Sequence, residues 1–324
     1  MTAYILRLFS GIGAFLIGMR LISSSLTGIA GGKIEELFKK LGNNKLAAVG
    51  VGVGSAAVLQ SSSATTVILL GLVNAGIVSL FQATCIIMGA NIGTTVTALI
   101  ISFNSLPIAE IFAFTAFIGA MIFMAAKKEK IKTAGWVLAA LGLIFIGLDV
   151  IRANALSLKE STTFVSLFQN LSSPLLLIMI GVVFTSVIQS SSAVTGIVLT
   201  LAQLGIMPVT GTFYVIMGSN VGSCATAMLA AMGGSANMKR TALIHLAFNM
   251  IGVLIFLPFV VAFGEKTVEA LSFFGVASLV AYFHIVFNLV TTLILLPFVK
   301  AIADFSESVI PDVPRAKRTG NGVR

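Results

Sequence analysis

The sequence predicts an all-α polytopic membrane protein with two inverted-topology repeats, each containing a re-entrant helical hairpin and a broken transmembrane helix. Hydrophobic residues make up 57% of the 324 residues and charged residues only 10%, and the mean hydropathy is +1.07. A soluble domain carries about 25% charged residues. Apolar runs close to the roughly 20 residues needed to cross a bilayer recur along the chain. The second observation is that polar motifs are duplicated within these runs.

The duplicated motifs are short and polar. Gln-Ser-Ser-Ser-Ala occurs at Gln60–Ala64 and at Gln189–Ala193, a shift of 129 residues, and the same shift relates two asparagine-containing patches, Gly89–Gly93 and Gly218–Gly222. Hydroxyls and amides at membrane depth are costly unless they have partners, so they usually line a path or a site. The repeat therefore predicts one site that is built from two related halves.

The repeat also divides the chain. We expect a first transmembrane repeat, a cytoplasmic linker, a second and inverted repeat, an additional C-terminal transmembrane helix and a basic cytoplasmic tail: residues 1–126, 127–133, 134–263, 264–303 and 304–324.

Each repeat has the same four pieces. We predict, in order, a first span with a following interfacial helix, two short limbs around the serines, a Gly-interrupted span and a final apolar span. In the first repeat, the spans and limbs lie at 4–26, 46–79, 80–102 and 107–126. In the second repeat, they lie at 134–152, 174–206, 208–232 and 240–263. The interfacial helices are marked by the spacing of Ile34, Leu37, Phe38 and Leu41, and of Phe164, Leu167, Phe168 and Leu171. The segment 4–26 lacks the cleavage site of a removable signal peptide.

The limbs around the serines are too short to cross a membrane. Leu46–Leu59 reaches about 21 Å as a helix, whereas the hydrocarbon core is about 30 Å thick. A re-entrant hairpin fits this length better than two crossings. The number of crossings in a repeat is then odd, so the second copy is inverted relative to the first.

Charge predicts the orientation. With the N-terminus outside and the C-terminus cytoplasmic, all but four of the basic residues lie inside, namely all except Arg7, Arg152, Lys159 and Lys266. The net charge of +9 therefore indicates membrane orientation rather than nucleic-acid binding. We expect a multi-pass protein of the cell membrane in contact with the lipid bilayer.

Inverted repeats with breaks at mid-membrane are typical of secondary transporters. The first N–H groups of a helix have no partner within it and form the positive end of its dipole. At the hairpin tips, serine hydroxyls add to these donors, which together suit a tetrahedral oxyanion. The candidates are Ser61, Ser62, Ser63, Ser190, Ser191 and Ser192.

The same motifs offer neutral oxygen ligands without thiols, imidazoles or carboxylates. Such ligands favour a hard cation such as Na⁺ over proton coupling. The sodium candidates are Gln60, Gln189, Asn91, Asn220, Thr66, Thr195, Thr94, Ser223, Thr97 and Thr226. We expect Na⁺ as the coupling ion and no organic cofactor.

These motifs, each followed by a Thr-Ala step at Thr97 and Thr226, resemble those of the type II sodium–phosphate cotransporter family. The resemblance covers about residues 10–300 and implies sodium-driven import of inorganic phosphate by alternating access, without enzymatic activity. It places phosphate at the two serine triplets and sodium at the glutamine, asparagine and threonine positions. Electrogenic animal members use an extra aspartate that these motifs lack. Many bacterial relatives carry a regulatory domain after the membrane part, and from the short basic tail we expect any such control to be absent here or to lie elsewhere.

Several alternatives stay open in the sequence. Another oxyanion such as sulfate or arsenate fits the same donors, and an intramembrane enzyme or an anion channel is a weaker candidate. A homodimer is compatible with the sequence. His245 and His284, which begin two similar His-x-x-Phe-Asn segments, are either proton carriers or structural residues. Asp149 reaches the interface, pairs with Arg152 or assists a cation.

Overall fold

The computed structural model describes residues 2–103, 109–159 and 173–312, and the regular structure in these ranges is helical throughout. The α-helices are α1 (Thr2–Lys39), α2 (Lys45–Leu59), α3 (Ser62–Asn74), α4 (Leu80–Ser102), α5 (Ala109–Ala125), α6 (Glu129–Lys159), α7 (Pro174–Ile188), α8 (Ser191–Gln203), α9 (Val209–Ala231), α10 (Ala236–Ala270), α11 (Val276–Leu295) and α12 (Val299–Val309).

Six helical segments of the described chain are long and apolar enough to cross a membrane. They are α1, α4, α6, α9, α10 and the run from Val276 to Val309, in which one 3₁₀ turn joins α11 to α12. Helices α2, α3, α5, α7 and α8 are apolar but shorter. The prediction of an all-α, multi-pass membrane protein is confirmed.

Glycines bring α2 and α4 into backbone contact. Gly89 of α4 lies against the Val49 carbonyl, and Gly93 lies against that of Val53 one turn further along both helices. The constant spacing of these contacts means that α2 and α4 run parallel. Their N-terminal ends lie side by side, because the Gln82 amide donates a hydrogen bond to the Leu41 carbonyl just before α2 (2.6 Å).

The second copy packs in the same way. Gly218 of α9 lies against the Ile178 carbonyl of α7, and Gly222 lies against the Val182 carbonyl. A side chain on any of these glycines would overlap main-chain atoms. The prediction of a broken helix at 80–102 and 208–232 is therefore wrong: α4 and α9 are continuous, and their glycines serve close packing.

Short turns join α3 to α4 and α8 to α9. The Ile77 N–H donates to the Leu72 carbonyl (2.9 Å), and Gly76 adopts the left-handed conformation with φ 72°. In the second copy the Ile206 N–H donates to Leu201 (3.0 Å), and Gly205 has φ 65°. The end of α3 thus lies beside the start of α4, and the end of α8 lies beside the start of α9.

The long helices α1 and α6 pack antiparallel. Gly11 of α1 lies against Ile151 of α6, whereas Gly18 lies against Ala140. The residue numbers of the contacts therefore decrease along α6 as they increase along α1. A Cβ on Gly18 would lie only 2.9 Å from the Ala140 carbonyl oxygen. These two helices are the corresponding first spans of the two copies.

Among the later helices, α11 packs on a helix that is distant from it in the sequence. α10 packs on α9, to which it is joined, whereas α11 packs on α4 and α5 packs on α6. The Thr292 hydroxyl of α11 donates to the Met88 carbonyl (3.4 Å), and the Lys45 ammonium donates to the Leu296 carbonyl (3.4 Å). The end of α11 therefore lies near the start of α4, so these helices are antiparallel.

Several helix boundaries differ from expectation: α6 begins at Glu129, inside the predicted linker 127–133, and α10 continues to Ala270, past the predicted boundary at 263. The first span and the predicted interfacial helix form one helix, α1, because Ile34 and Phe38 are buried against the following helices. The corresponding segment Phe164–Leu171 lies outside the described residues. Helix α12, at the start of the expected tail, was not predicted. The segment after it is held by Arg240, whose guanidinium pairs with Asp312 (3.0 Å).

A glycine pair on α2 tests the close packing. Gly52 faces the Ile86 carbonyl, whereas a side chain on Gly54 would meet nothing within 4 Å. We expect Gly52→Ala to lower the free energy of unfolding by about 1–3 kcal/mol through overpacking. Gly54→Ala is the matched control and should be neutral or more stable by up to about 1 kcal/mol. Thermal unfolding of the purified protein in detergent measures both, and equal stability of the two variants would contradict the close approach.

Candidate ion-binding site

Both serine motifs begin where a helix ends in a left-handed residue. Gln60 ends α2 with φ 52°, and Gln189 ends α7 with φ 57°. They are the two non-glycine residues with positive φ in the described chain. Glycine adopts this conformation without penalty, and another residue there carries strain of about 1–2 kcal/mol. Both copies therefore place glutamine, rather than glycine, at the left-handed end of the helix.

The serine that follows each glutamine caps the next helix. Ser61 is extended, and its hydroxyl oxygen accepts a hydrogen bond from the Ala64 N–H (3.1 Å). Ser190 accepts one from Ala193 in the same way (3.2 Å). Since serine is a preferred N-cap, the motif itself explains why α3 and α8 begin where they do.

The next two serines occupy the first turns of α3 and α8. Their backbone N–H groups have no acceptor within the helix, because the first turn lacks the preceding carbonyls. Ser62, Ser191 and Ser192 are buried, and Ser63 is half-buried. Each reversal therefore presents uncharged hydroxyl and N–H donors at the positive end of a helix dipole.

In the first copy the tip is tied to α4. The Thr97 hydroxyl donates to the Gln60 side-chain oxygen (2.9 Å), while the Gln60 amide nitrogen donates to the Ala57 carbonyl (2.7 Å). The structure thus brings two predicted sodium ligands, Gln60 and Thr97, into direct contact.

The second copy lacks this contact. Gln189 is exposed, and its side chain makes no hydrogen bond within the described ranges. The equivalent hydroxyl, that of Thr226, is buried without a partner there, and so is that of Thr195 on α8. A buried hydroxyl without a hydrogen bond destabilises the fold. A bound partner would therefore stabilise these two predicted ligands.

Sequence reasoning missed a hydroxyl pair in the second copy. The Thr185 hydroxyl donates to that of Ser219 (2.8 Å), and the Ser219 hydroxyl donates to the Ser191 carbonyl (3.4 Å). The equivalent residues of the first copy are Ala56 and Ala90. The joint change from two alanines to two hydroxyl residues is the signal that could have revealed the pair.

The remaining predicted ligands lie on buried faces of α3, α4 and α9. The Asn91 amide donates to Ile87 (3.0 Å), Thr94 donates to Ala90 and Ser223 donates to Asn220, all within their own helices. Thr66 is also buried. The limb after each triplet packs on the polar helix of the other copy, α3 on α9 and α8 on α4.

Asn220 has partners that the site prediction did not include. Its side-chain oxygen lies 3.2 Å from Nε2 of His284, and its amide nitrogen donates to the Asn288 side-chain oxygen (3.4 Å). Asp149, in contrast, forms no ion pair with Arg152, since the ion pairs among the described residues involve Lys39, Lys132 and Arg240.

The fold and these polar motifs define an all-helical, multi-pass membrane protein with neutral polar groups in its interior. Comparison with known families then identifies it: the chain belongs to the Na+/Pi-cotransporter family, whose model matches residues 14–153 and 156–286. The resemblance noted from the motifs is confirmed.

Individual relatives are similar over different shares of the chain. "Uncharacterized protein YqeW" of Bacillus subtilis (strain 168) is 33% identical over 259 residues, which are 80% of this chain and 83% of the relative. "Putative inorganic phosphate export protein YjbB" of Escherichia coli (strain K12) is 32% identical over 96% of this chain but 56% of its own length. "Sodium-dependent phosphate transport protein 2A" of Mus musculus is 32% identical over 39% of this chain and 21% of its own length. No solved structure matches the chain.

The left-handed glutamines can be tested by stability. Gln189→Gly relieves the strained conformation without loss of a hydrogen bond, so we expect stability to be unchanged or higher by about 1 kcal/mol. Gln60→Gly also leaves the Thr97 hydroxyl without its partner, which costs about 1–3 kcal/mol. Thermal unfolding should therefore rank Gln189→Gly above Gln60→Gly, and the reverse order would contradict this interpretation of the tips.

Proposed function

We propose that this protein is a sodium-coupled secondary transporter that moves inorganic phosphate by alternating access. The anion is held between the two serine-capped tips at the bilayer midplane. The observation that carries the proposal is the pair of equivalent chain reversals, at Gln60 and Gln189, each of which offers buried neutral donors at the start of a helix. Membership of the Na+/Pi-cotransporter family supports transport of phosphate rather than enzymatic chemistry.

The proposal requires α2–α3 and α7–α8 to be re-entrant hairpins. Three contacts support this: α2 and α4 run parallel from neighbouring starts, and α3 ends beside the start of α4. α3 must then return to the side from which α2 enters. The glycine contacts and the turn hydrogen bonds recur in the second copy.

It also requires the two copies to be inverted. The antiparallel packing of α1 on α6 supports an inversion. So does the hydrogen bond from the Ser235 N–H to the Asn74 side chain (3.4 Å), which joins the end of α3 to the residues after α9. Since α3 ends where α4 begins, α4 and α9 run in opposite directions. With the N-terminus outside, the tips enter from opposite faces of the cell membrane.

The uncharged donors of the two serine triplets, which we call the cradle, suit an anion that must be released. Serine hydroxyls and N–H groups at helix starts bind phosphate oxygens with the help of the helix dipole. The tips contain no lysine or arginine, so binding depends on charge supplied with the substrate. Sulfate and arsenate, which have the same tetrahedral shape, are the competing substrates.

Sodium ions supply that charge in the proposal. The ligands are the glutamine and asparagine side-chain oxygens and the threonine and serine hydroxyls close to the tips, in keeping with the preference of hard cations for oxygen. The unpaired buried hydroxyls of Thr195 and Thr226 support a cation in the second copy, because coordination would satisfy both. In the first copy, Thr97, the equivalent of Thr226, is in contact with Gln60, and we propose these two oxygens as ligands there.

The direction of phosphate movement follows the gradients in a reversible carrier. An inward sodium gradient drives import, which is the direction we propose. The name of the relative YjbB, a phosphate export protein, favours export as the second candidate. Transport assays with sodium imposed on either side separate the two directions.

Serine substitutions test the anion site. We expect Ser62→Ala and Ser191→Ala to lower sodium-driven uptake of labelled phosphate into liposomes at least about tenfold, because a hydrogen bond to a charged group contributes about 1.5–3 kcal/mol. Ser55→Ala is the matched control, since its buried hydroxyl donates only within α2, to Val51. Near-normal uptake by both tip variants would refute the cradle, and sulfate that competes as well as phosphate would refute its selectivity.

Cysteine labelling tests the topology. Asn43, before α2, and Ala75, after α3, are exposed, as are Ser173 and Pro208 around the second hairpin. The native Cys85 and Cys224 are buried and should not react. A membrane-impermeant thiol reagent is expected to label Asn43→Cys and Ala75→Cys from the inside, and Ser173→Cys and Pro208→Cys from the outside. Labelling of Asn43→Cys and Ala75→Cys from opposite faces would exclude a re-entrant hairpin.

A further inference from the structure

Helices α10 and α11 carry the same polar pattern deep in the protein. His245 and Asn249 on α10 correspond to His284 and Asn288 on α11, with a phenylalanine before each asparagine. All four polar side chains are at most 1% exposed. α10 packs on α9, and α11 packs on both α4 and α9. The two helices that carry this pattern therefore pack on α4 and α9, the helices of Asn91 and Asn220.

On α11 these residues close a ring of hydrogen bonds around Asn220. The Asn288 amide nitrogen donates to the His284 carbonyl (2.9 Å), the Asn220 amide nitrogen donates to the Asn288 oxygen (3.4 Å), and the Asn220 oxygen lies 3.2 Å from His284 Nε2. Every member of the ring thus contacts the next.

Only one assignment of donors and acceptors satisfies every hydrogen bond of this ring. A main-chain carbonyl only accepts, so Asn288 must turn its nitrogen toward the His284 carbonyl and its oxygen toward Asn220. Asn220 then turns its nitrogen toward Asn288 and its oxygen toward His284. Nε2 of His284 therefore carries a hydrogen and donates it, and in the neutral imidazole this leaves Nδ1 as the bare nitrogen. That Nδ1 has no partner in the described chain.

This assignment fixes the orientation of the Asn220 carboxamide. A carboxamide oxygen has two acceptor positions, of which His284 occupies one and leaves the other for a cation. Rotation of the carboxamide by half a turn would set like groups against each other at both contacts. Partners of this kind orient a metal ligand, and their loss typically weakens ion binding.

The corresponding residues of α10 form only part of such a ring. The Asn249 amide nitrogen donates to the His245 carbonyl (3.0 Å), which repeats the anchor of the closed ring. The Asn249 oxygen, however, has no partner in the described ranges, whereas the Asn288 oxygen accepts from the Asn220 amide nitrogen. The equivalent midplane residue, Asn91, donates instead to Ile87 of its own helix. The two halves therefore differ in how firmly their midplane asparagine is oriented.

We infer that His284 and Asn288 are positioning residues that hold the Asn220 side-chain oxygen toward a sodium ion in the second half of the site. The inference rests on the proposed function, in which Asn220 is a sodium ligand. His284 acts through its Nε2–H donor and Asn288 through its oxygen acceptor, and neither contacts the ion.

Sodium titration of phosphate uptake tests the inference. We expect His284→Ala and Asn288→Ala to raise the sodium concentration for half-maximal uptake by about tenfold, as for other partners of metal ligands. The phosphate KM at saturating sodium should stay within about twofold of the wild-type value. His284→Gln should restore most of the sodium affinity, because its amide nitrogen can donate in place of Nε2–H.

Thr292→Val is the matched control. It removes another buried hydrogen bond of α11, from the Thr292 hydroxyl to Met88, and in the described chain the side-chain partners of Asn220 are His284 and Asn288 instead. A purely structural role for His284 predicts that its alanine variant and Thr292→Val alter sodium dependence equally, and that His284→Gln does not rescue. Either result would overturn the inference.

Sodium-dependent thermal stabilisation of the purified protein separates the inference from the proposed function. If sodium stabilises the wild type and not His284→Ala, while reconstituted wild type fails to move phosphate, the proposed function is wrong and the positioning role stands. If wild type transports phosphate with sodium and His284→Ala shows the same titration and stabilisation, the positioning role alone is wrong. No stabilisation of the wild type by sodium would refute both.

Discussion

A chain that reverses direction inside an apolar helical bundle must satisfy the main-chain groups that the reversal exposes. Here the left-handed Gln60 and Gln189 end one helix, and Ser61 and Ser190 cap the next. The capping leaves the following N–H groups and hydroxyls as donors in a buried setting. The buried donors at the starts of α3 and α8, and the ion site proposed there, depend on these two reversals.

The continuous helices α4 and α9 place further polar groups beside the reversals. Their glycines allow α2 and α7 to approach within main-chain contact, which brings Thr97 to Gln60 and Ser219 to Ser191. Close packing by glycine and the presence of the polar residues are thus parts of one arrangement. A larger residue at Gly89 or Gly218 would separate the tip from its helix.

The two copies share a backbone plan but not their hydrogen bonds. Among the described residues, Gln60 is hydrogen-bonded to α4 whereas the Gln189 side chain has no hydrogen bond, and Asn220 is hydrogen-bonded to α11 whereas the Asn91 amide donates within its own helix. An alternating-access carrier of the kind proposed needs its two halves to adopt different arrangements in turn. The differences lie at the residues proposed to bind the ions.

Much of this could be predicted from the sequence, because composition and local chemistry act over short distances. Apolar content predicted the membrane class, and the Gln-Ser-Ser-Ser motif located both reversals, since capping involves neighbouring residues. The expectation of broken helices at 80–102 and 208–232 failed because a glycine in a helix indicates either a break or a close contact. Only the position of α2 or α7 distinguishes these.

Tertiary structure decided the rest. α11, and not α5, packs on α4, and the ring around Asn220 joins residues from two helices that are distant in sequence. Neither follows from the repeat, because the packing of one apolar helix on another depends on shape along the whole contact. The sequence by itself determined which residues are polar within the membrane and where the chain turns; the packing of the helices determined which of those residues meet.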